Sequence, residues 1–322
     1  MAVYTKFTKD DIKSILSNYL IGDLESYEGI QEGIENTNYF LLVNKKKYIL
    51  TIYEKRVKEE DLPFFSKLMG SLNKSGFKCP VPILNKRNEA ISKFNNKKLM
   101  IVSFIEGKAK NVLSPEDCKS VGKEAARMHE ITKNFKIKRQ NDLSISSWRK
   151  IFNSVKDKCN HIHKDLPKLI ESNLVDVEKN WPKNLPKGII HADLFNDNIF
   201  FNQNKFSGII DFYFSCNDYY IFEIAICFNA LCFDGPQNNL SFNVTKAKNL
   251  IDGYNEIRKL SDEEKRSIKV LSQGSALRFL LTRVFDALNT VEGAIVKVKD
   301  PVEYLKRLEF HKNSKNFEDY FF

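Results

Sequence analysis

One polar segment, HADLFNDN at residues 191–198, constrains the fold most, because apolar residues that predict β-strands flank it on both sides. A turn at Asn202 to Lys205 follows, and the next apolar stretch ends in IIDF, residues 209–212. The pattern predicts an Asn-rich loop, a strand, a tight turn and a returning strand that ends at Asp211. Such a hairpin is expected to bring the end of its second strand beside the end of the loop.

Four polar residues of this region have the spacing that phosphoryl transfer requires. Asp193 suits the base that orients an attacking hydroxyl and accepts its proton, and Asn198 follows it at the D-x-x-x-x-N spacing of a kinase catalytic loop. Asn198 and Asp211 would supply amide and carboxylate oxygens to Mg²⁺. His191 is expected to orient the loop rather than to carry a proton. Turn propensity alone explains the remaining Asn and Asp of the loop, but not these four together.

The N-terminal part of the chain predicts a small, mostly antiparallel sheet with one helix. Extended apolar stretches at Tyr39 to Val43 and Tyr48 to Tyr53 are separated by residues that predict a hairpin turn. Apolar residues at helical spacing follow between Glu59 and Lys74. Two more strands are predicted at Pro82 to Lys93 and at Lys98 to Phe104. Beyond this lobe helical periodicity dominates, and the first helix is expected to begin at an N-cap followed by proline, in the sequence SPED.

Charge distribution, cysteine spacing and the lack of a long apolar run argue against several classes of binding partner, namely nucleic acids, zinc and membranes. The formal net charge of +10 is spread over runs that alternate with acidic and apolar residues, without zinc-finger spacing or an aromatic RNA-binding signature, so we do not expect nucleic-acid binding. The six cysteines include no C-x-x-C pair, which argues against a zinc site and a disulfide framework. The charged start and the lack of a long apolar run predict a cytoplasmic protein without membrane contact.

The pattern H-x-D-x-x-x-x-N followed by a strand-ending Asp resembles the aminoglycoside phosphotransferase and choline kinase superfamily. Several longer stretches are similar to the homoserine kinases of that superfamily: EGIENTNYFL, YILTIYEKR, DLPFFSKLMGSLNKSGFKCPVPI, IDFYFSCNDYY and ALRFLLTRVFD. This resemblance extends from about Tyr27 to Asp286. It implies a bilobal, protein-kinase-like α+β fold with an N-terminal nucleotide-binding lobe at 1–104, a hinge at 104–107 and a mainly helical catalytic and substrate lobe at 108–322.

The resemblance also implies ATP and Mg²⁺ as cofactors and L-homoserine as the substrate, with O-phospho-L-homoserine formed for threonine biosynthesis. A loop between the first two strands would cover the triphosphate, and the hinge would pair with the adenine through backbone groups. The residues implied in nucleotide binding are Gly33, Asn36, Thr37, Asn38, Phe104 and Glu106.

The substrate has a carboxylate and an ammonium besides its hydroxyl, and each needs a partner of opposite charge. Arg278 and Arg283 are candidates for the carboxylate, because a guanidinium can bind it in bidentate fashion. Asp218 or Asp286 could meet the ammonium, and Tyr213 could line the pocket. Arg283 and Asp286 are three residues apart on a predicted helix, so an ion pair between the two is an equally good interpretation.

Two positions depart from the kinase pattern. The strand Lys that holds the nucleotide phosphates in protein kinases is replaced by Thr51, and Phe64 and Phe65 stand where its Glu partner is expected. The superfamily generally has Asp where this chain has Glu223, and the longer carboxylate is expected to brace the catalytic loop less tightly.

Two alternatives therefore remain open. The same fold could phosphorylate another small hydroxylated compound, such as choline, methylthioribose or an aminoglycoside. A nucleotide-binding pseudokinase is the second alternative, motivated by the missing Lys and Glu pair. Retention of Asp193, Asn198 and Asp211 argues against it.

Overall fold

The computed structural model describes residues 5–30, 36–54, 57–236, 239–289 and 299–321. The chain divides into two compact units. The first contains the described residues of 5–107 together with 207–213, and the second contains those of 108–206, 214–289 and 299–321. In the parts of the chain that the structure describes, none of the helices has the length and apolarity of a membrane span.

A five-stranded antiparallel sheet forms the first unit. Its strands are β1 (Leu24–Ile30), β2 (Thr37–Val43), β3 (Lys46–Ile52), β4 (Ser92–Phe94) and β5 (Lys97–Ser103), in the spatial order β1, β2, β3, β5, β4. The tight turn between β2 and β3 has left-handed φ angles at both central residues, 45° at Asn44 and 60° at Lys45. This geometry matches the twist of antiparallel strands and confirms the predicted hairpin.

Two helices belong to the same unit, α1 (Lys9–Leu16) and α2 (Leu62–Lys74). The α1 helix begins at a capping box in which Thr8 and Asp11 exchange hydrogen bonds. Its buried face shares one hydrophobic core with the sheet. The α2 helix confirms the periodicity between Glu59 and Lys74 and buries most of its apolar residues.

The strand predicted at Pro82 to Lys93 is wrong over most of its length. The described strand pairing of this region consists of two isolated bridges, Pro82 to Val102 and Asn85 to Tyr19, and the short strand β4. The Asn85 side chain accepts hydrogen bonds from the backbone N–H groups of Arg87 and Glu89, at 2.9 and 3.0 Å, and folds the segment into a turn. Such side-chain contacts compete with strand pairing.

The second unit is mainly helical. Its helices are α3 (Pro115–Thr132), α4 (Ile145–Val155), α5 (Leu166–Asn180), α6 (Tyr220–Leu231), α7 (Val244–Ile257), α8 (Asp262–Asn289) and α9 (Glu303–Asn313). The predicted cap of α3 is confirmed, since Ser114 and Asp117 form a capping box. Gly122 and Gly253 let α3 and α7 touch backbone to backbone, because a Cβ at either position would lie 1.9 Å from a carbonyl oxygen of the other helix.

Short strands hold the loops of this part of the chain. They are β6 (Lys108–Ala109), β7 (Lys187–Ile190), β8 (Ile199–Asn202), β9 (Lys205–Ile209), β10 (Cys216–Tyr219), β11 (Phe233–Asp234) and β12 (Ser241–Phe242). The β7 and β10 strands pair antiparallel, as do β6 and β8. The predicted hairpin after the polar segment is confirmed, with left-handed φ angles at Gln203 and Asn204 in the turn between β8 and β9.

Candidate active site

The loop between β7 and β8 brings Asp193 and Asn198 into direct contact. The Asn198 side-chain amide donates to the backbone carbonyl of Asp193 at 2.8 Å and to its carboxylate Oδ2 at 3.1 Å. Both hydrogen bonds use Nδ2, so the amide oxygen Oδ1 is the atom of Asn198 that can act as a metal ligand. The loop geometry therefore fixes one carboxylate and one amide oxygen next to each other.

The Asp193 carboxyl is partly exposed and has a perturbed pKa. Burial raises the pKa of Asp193 to about 6, while the positive charge of Arg278 and that of Lys299 act in the opposite direction. The carboxyl is therefore mostly ionised at neutral pH, yet basic enough to accept a proton. A pKa near the working pH is what a general base needs.

A buried carboxylate holds the backbone of the loop by hydrogen bonds. Glu223 on α6 accepts hydrogen bonds from the backbone N–H groups of His191 and Ala192, the second at 3.1 Å. Burial raises the pKa of Glu223, and these hydrogen bonds oppose that effect. The longer carboxylate thus reaches two consecutive backbone amides, and one of them belongs to a residue with a left-handed φ of 65°, Ala192.

His191 is fully buried and contacts the catalytic loop rather than solvent. Its ring nitrogen Nδ1 accepts a hydrogen bond from the backbone N–H of Asp193 at 3.3 Å. This contact is the kind that a loop-orienting residue makes. That His191 orients the loop remains a prediction made from the sequence.

Both arginines predicted to meet the substrate have protein partners. Arg278 on α8 is 2% exposed and donates from Nη1 to the carbonyl of Ala192 at 2.7 Å. Its Nε is buried without a hydrogen-bond partner among the described residues. Arg283 pairs with Glu303 at 2.7 Å and donates to the carbonyl of Asp300 at 2.9 Å, so its described partner is not Asp286.

Asp218 and Tyr213 are held by different neighbours. Asp218 accepts a hydrogen bond from the side chain of Asn141 at 2.6 Å, and burial raises its pKa. Tyr213 lies in the first unit, where its ring packs edge-on against Tyr53 at 5.3 Å and against Phe65 at 5.6 Å. Burial raises the pKa of Tyr213 to about 12.

Asp211 also belongs to the first unit and has an unusual backbone. Its φ of 62° is left-handed, a conformation that costs energy for a residue other than glycine and that concentrates at functional sites. The charge of Asp211 contributes to the raised pKa of Tyr53 and Tyr213, after the larger effect of burial.

Two of the predicted nucleotide residues, Thr37 and Asn38, begin β2 and Asn36 directly precedes it, whereas Gly33 lies outside the described residues. Asn36 and Thr37 are buried, and Thr37 donates to Glu54 at 2.9 Å. Asn38 accepts a hydrogen bond from the hydroxyl of Thr51 at 2.8 Å. Thr51 is itself 2% exposed, so the position of the kinase Lys is occupied by a buried, uncharged hydrogen-bonding side chain.

The predicted hinge residues are joined to β3. The backbone N–H of Phe104 donates to the carbonyl of Lys47 at 3.3 Å, and Glu106 pairs with the Lys47 ammonium at 2.8 Å. The carbonyl of Glu106 accepts a hydrogen bond from the Ser207 hydroxyl. These contacts order the end of the first unit.

Sequence reasoning missed a group of residues beside the catalytic loop. Lys299 lies 3.3 Å from Asp197 and 5.2 Å from the centre of the Phe195 ring. The Phe195 ring packs on Phe279 at 4.9 Å, and Phe279 packs on Tyr304 at 5.5 Å. A single lysine in a lysine-rich chain gives no motif, so the sequence contains no signal for it.

The part of the chain that the structure describes contains no cluster of three or more His, Cys, Asp or Glu side chains able to hold a metal ion. A divalent ion bound by one carboxylate, one amide oxygen and substrate phosphates needs no such cluster. The donor chemistry of Asn198 and Asp211 fits that kind of ion.

The chain is similar in sequence to known phosphotransferases. A sequence model described as "Phosphotransferase enzyme family" matches residues 26–258. The chain is 43% identical over 320 residues to a homoserine kinase of Mesorhizobium japonicum, covering 99% of both chains. It is 44% identical over 321 residues to a homoserine kinase of Bradyrhizobium diazoefficiens, covering 99% of this chain and 97% of that relative.

Solved structures show the same fold at low sequence identity. An amicoumacin kinase in complex with AMP-PNP and Ca²⁺ superposes with a TM-score of 0.70 at 13% identity, covering 97% of this chain and 95% of the other. A choline kinase from Cryptosporidium parvum superposes with a TM-score of 0.67 at 18% identity, covering 95% and 94%. The architecture is therefore the kinase-like α+β fold that the sequence predicts.

Proposed function

This chain belongs to the phosphotransferase enzyme family and, within it, to the homoserine kinases, and from that membership we propose how its residues perform the reaction. The protein is a phosphotransferase that phosphorylates L-homoserine, a reaction of threonine biosynthesis. We propose ATP as its phosphoryl donor and the cytoplasm, which contains ATP, as its location.

The observation that carries the mechanism is the contact between Asp193 and Asn198. Because the Asn198 amide holds one carboxylate oxygen and the backbone carbonyl of Asp193, the carboxyl is fixed in orientation. We propose that its other oxygen accepts the proton of the homoserine hydroxyl. The hydroxyl oxygen bonds to the terminal phosphorus of ATP while the bond from that phosphorus to the bridging oxygen breaks, and ADP leaves with that oxygen. Orientation and proton acceptance are the main tasks of a protein group in this reaction.

We propose Asn198 and Asp211 as the ligands of Mg²⁺. The Asn198 oxygen is free of the two hydrogen bonds that its nitrogen makes, and Asp211 offers a carboxylate on a strained backbone. Mg²⁺ bound by these oxygens would neutralise charge on the phosphates. His191 and Glu223 would hold the loop that presents Asp193.

For the nucleotide, we propose that the segment from Gly33 to Asn38 covers the phosphates and that the backbone around Phe104 and Glu106 meets the adenine. The hydrogen bonds of Asn38 with Thr51 of β3 and of Thr37 with Glu54 just after β3 support an ordered end for that segment. The resemblance to phosphotransferases supports both assignments.

For the substrate, Asp218 and Tyr213 stay candidates for the ammonium and the pocket wall. Arg278 and Arg283 stay sequence-based candidates for the carboxylate. Each of the two arginines would have to share its side chain between the substrate and a protein group that it already binds.

Measurement of ADP release in the presence of Mg²⁺ and ATP tests the substrate directly. The panel contains L-homoserine, choline, methylthioribose and an aminoglycoside. We expect ADP release to depend on L-homoserine and not on the other compounds. Release with another compound alone would change the assigned substrate, and silence across the panel despite nucleotide binding would favour a pseudokinase.

A further inference from the structure

The second unit has to bind the substrate carboxylate close to other negative charges. L-Homoserine has only four carbons, so a hydroxyl held at Asp193 places the substrate carboxylate within a few bond lengths of the catalytic loop. The loop also contains the exposed carboxylate of Asp197. A positively charged side chain near the loop is therefore needed to offset repulsion between these carboxylates and the substrate.

Two positively charged side chains of this unit, Arg278 and Lys299, favour the ionised form of Asp193. They differ in exposure, and therefore in their ability to bind a ligand. Arg278 is almost fully buried and hydrogen-bonds the Ala192 carbonyl beneath the loop. The side chain of Lys299 is 49% exposed, and its ammonium lies 3.3 Å from Asp197, whose side chain is 58% exposed. An ion pair between two exposed side chains contributes little to stability, so the Lys299 ammonium exchanges readily from Asp197 to another carboxylate.

The backbone next to Lys299 is fixed although its side chain is exposed. Arg283 on α8 donates to the carbonyl of Asp300 at 2.9 Å. The Asp300 side chain in turn accepts a hydrogen bond from the backbone N–H of Val302 at 2.8 Å, at the start of α9. The buried Arg283 therefore supports the position of Lys299 from the neighbouring helix.

The Lys299 ammonium also lies over the face of an aromatic ring of the loop, that of Phe195. It lies 5.2 Å from the centre of the Phe195 ring, within the range of a cation–π interaction. Phe195 is held by edge-on packing against Phe279 of α8 at 4.9 Å. The Lys299 ammonium thus lies beside the catalytic loop, where it already contacts the carboxylate of Asp197.

From these contacts we propose that the Lys299 ammonium binds the carboxylate of L-homoserine, leaving Asp197 when the substrate enters, and so selects hydroxy amino acids over simple amino alcohols. The inference rests on the proposed function, because it concerns recognition of that substrate at the same site. Lys299 is a binding residue in this proposal, and proton transfer remains with Asp193.

The test compares Lys299→Met with wild type on two acceptors, L-homoserine and 2-aminobutane-1,4-diol. The diol replaces the carboxylate by a hydroxymethyl group and keeps the reacting hydroxyl and the ammonium. We expect Lys299→Met to raise KM for L-homoserine about tenfold to hundredfold, as for the loss of a charged hydrogen bond, and to leave KM for ATP unchanged. The wild-type preference for homoserine over the diol should shrink by the same factor.

Lys306→Met is the matched control. Lys306 is 53% exposed on α9 and pairs with Glu309 at 3.3 Å, so it has the exposure and the type of ion pair of Lys299 without contact to the loop. We expect this variant to retain wild-type KM values and the wild-type preference. Lys299→Arg, which keeps the charge, should recover most of the affinity for homoserine.

Three results would overturn the inference. One is an unchanged KM for homoserine in Lys299→Met. A second is an equal loss of kcat on both acceptors with the preference retained, which would place the ammonium on the transferred phosphoryl group instead. The third is failure of Lys299→Arg to recover affinity. Inactivity of the wild-type protein on homoserine would instead refute the proposed function, so the two failures are distinguishable.

Discussion

Asp193 combines two properties that are usually opposed, partial exposure and a pKa raised by burial to about 6. An exposed carboxylate would be a weaker base, and a fully buried one without cations would remain protonated at neutral pH. Arg278 and Lys299 limit the rise by favouring the charged form. The result is a carboxylate that is ionised when the substrate binds and that can still accept a proton.

Replacement of one carboxylate oxygen of Asp193 by an amide nitrogen should be enough to slow the reaction strongly. Asp193→Asn keeps the size of the side chain but cannot accept the hydroxyl proton, so we expect kcat to fall about 100-fold to 10,000-fold. KM for ATP should change little. Asp157→Asn, at an exposed position of the second unit, is the control and should keep the wild-type kcat. Wild-type turnover in Asp193→Asn would refute the assignment of the base.

Among the elements, α8 and α6 both position the catalytic loop. The α8 helix runs from Asp262 to Asn289 and presents Arg278 to the Ala192 carbonyl and Phe279 to the Phe195 ring. Glu223 on α6 holds the same loop through two backbone amides. The left-handed backbone at Ala192 is therefore stabilised at its N–H by one helix and at its carbonyl by another.

Loss of the contact from α8 should affect both stability and turnover. Arg278→Met leaves the buried Ala192 carbonyl without its described partner, so we expect the free energy of unfolding to fall by about 2 to 4 kcal/mol. Displacement of the loop should lower kcat by about tenfold to hundredfold.

Urea denaturation and ADP release measure the two effects of Arg278→Met. Arg266→Met is the control on the same helix, because Arg266 is exposed and pairs only with the exposed Glu263 among its described partners. That variant should match wild type in both assays. If Arg278→Met also matched wild type, the helix would not support the loop.

Local sequence signals predicted the elements that depend on neighbours in the chain. The turn at Asn44 and Lys45 and the cap at Ser114 follow from residues next to the elements they define. Asp193 and Asn198 are five residues apart within one loop, so the sequence could also predict their contact.

Features that depend on distant parts of the chain gave no such signal. The segment from Pro82 to Lys93 reads as a strand by composition, but the Asn85 side chain folds it into a turn. Lys299 lies beside the loop next to Asp300, which Arg283 of α8 and the backbone N–H of Val302 hold in place. Tertiary placement of an isolated residue leaves no pattern in the surrounding sequence.

Across the whole molecule, buried histidines connect stability to pH. His311 on α9 is fully buried, with Nε2 3.0 Å from the Asn229 oxygen on α6 and Nδ1 3.1 Å from the Tyr320 hydroxyl. Burial lowers the pKa of His311 to about 3, from an ordinary value of 6.5, and the charge of Arg307 lowers it further. The ring is therefore neutral in the folded protein.

This arrangement sets the sign of the pH dependence. Below pH 6.5 the unfolded chain takes up a proton at His311 that the folded chain refuses, so stability is complete above that pH and declines as pH falls toward 3. His311 should reduce the free energy of unfolding by about 1 kcal/mol between pH 7 and pH 5.5. Urea denaturation of wild type and His311→Gln at both pH values measures the difference.

We expect His311→Gln to be less stable at pH 7 but to lose about 1 kcal/mol less than wild type on acidification. His161→Gln, at an exposed position, is the control and should keep the wild-type dependence. An identical pH dependence in His311→Gln and wild type would show that the ring is not held neutral.

The passage of residues 207–213 through the first unit has a practical consequence. Ile209 donates to the carbonyl of Lys78 at 3.1 Å, Ser207 to that of Glu106, and the Tyr213 ring covers Phe65 of α2. A gene fragment that stops after Gly107 would encode the five-stranded sheet but omit residues 207–213, which belong to the same compact unit. The first unit consists of stretches that are far apart in the sequence, so truncation at one position does not yield it intact. Production of this unit alone would require residues 207–213 to be fused to the fragment.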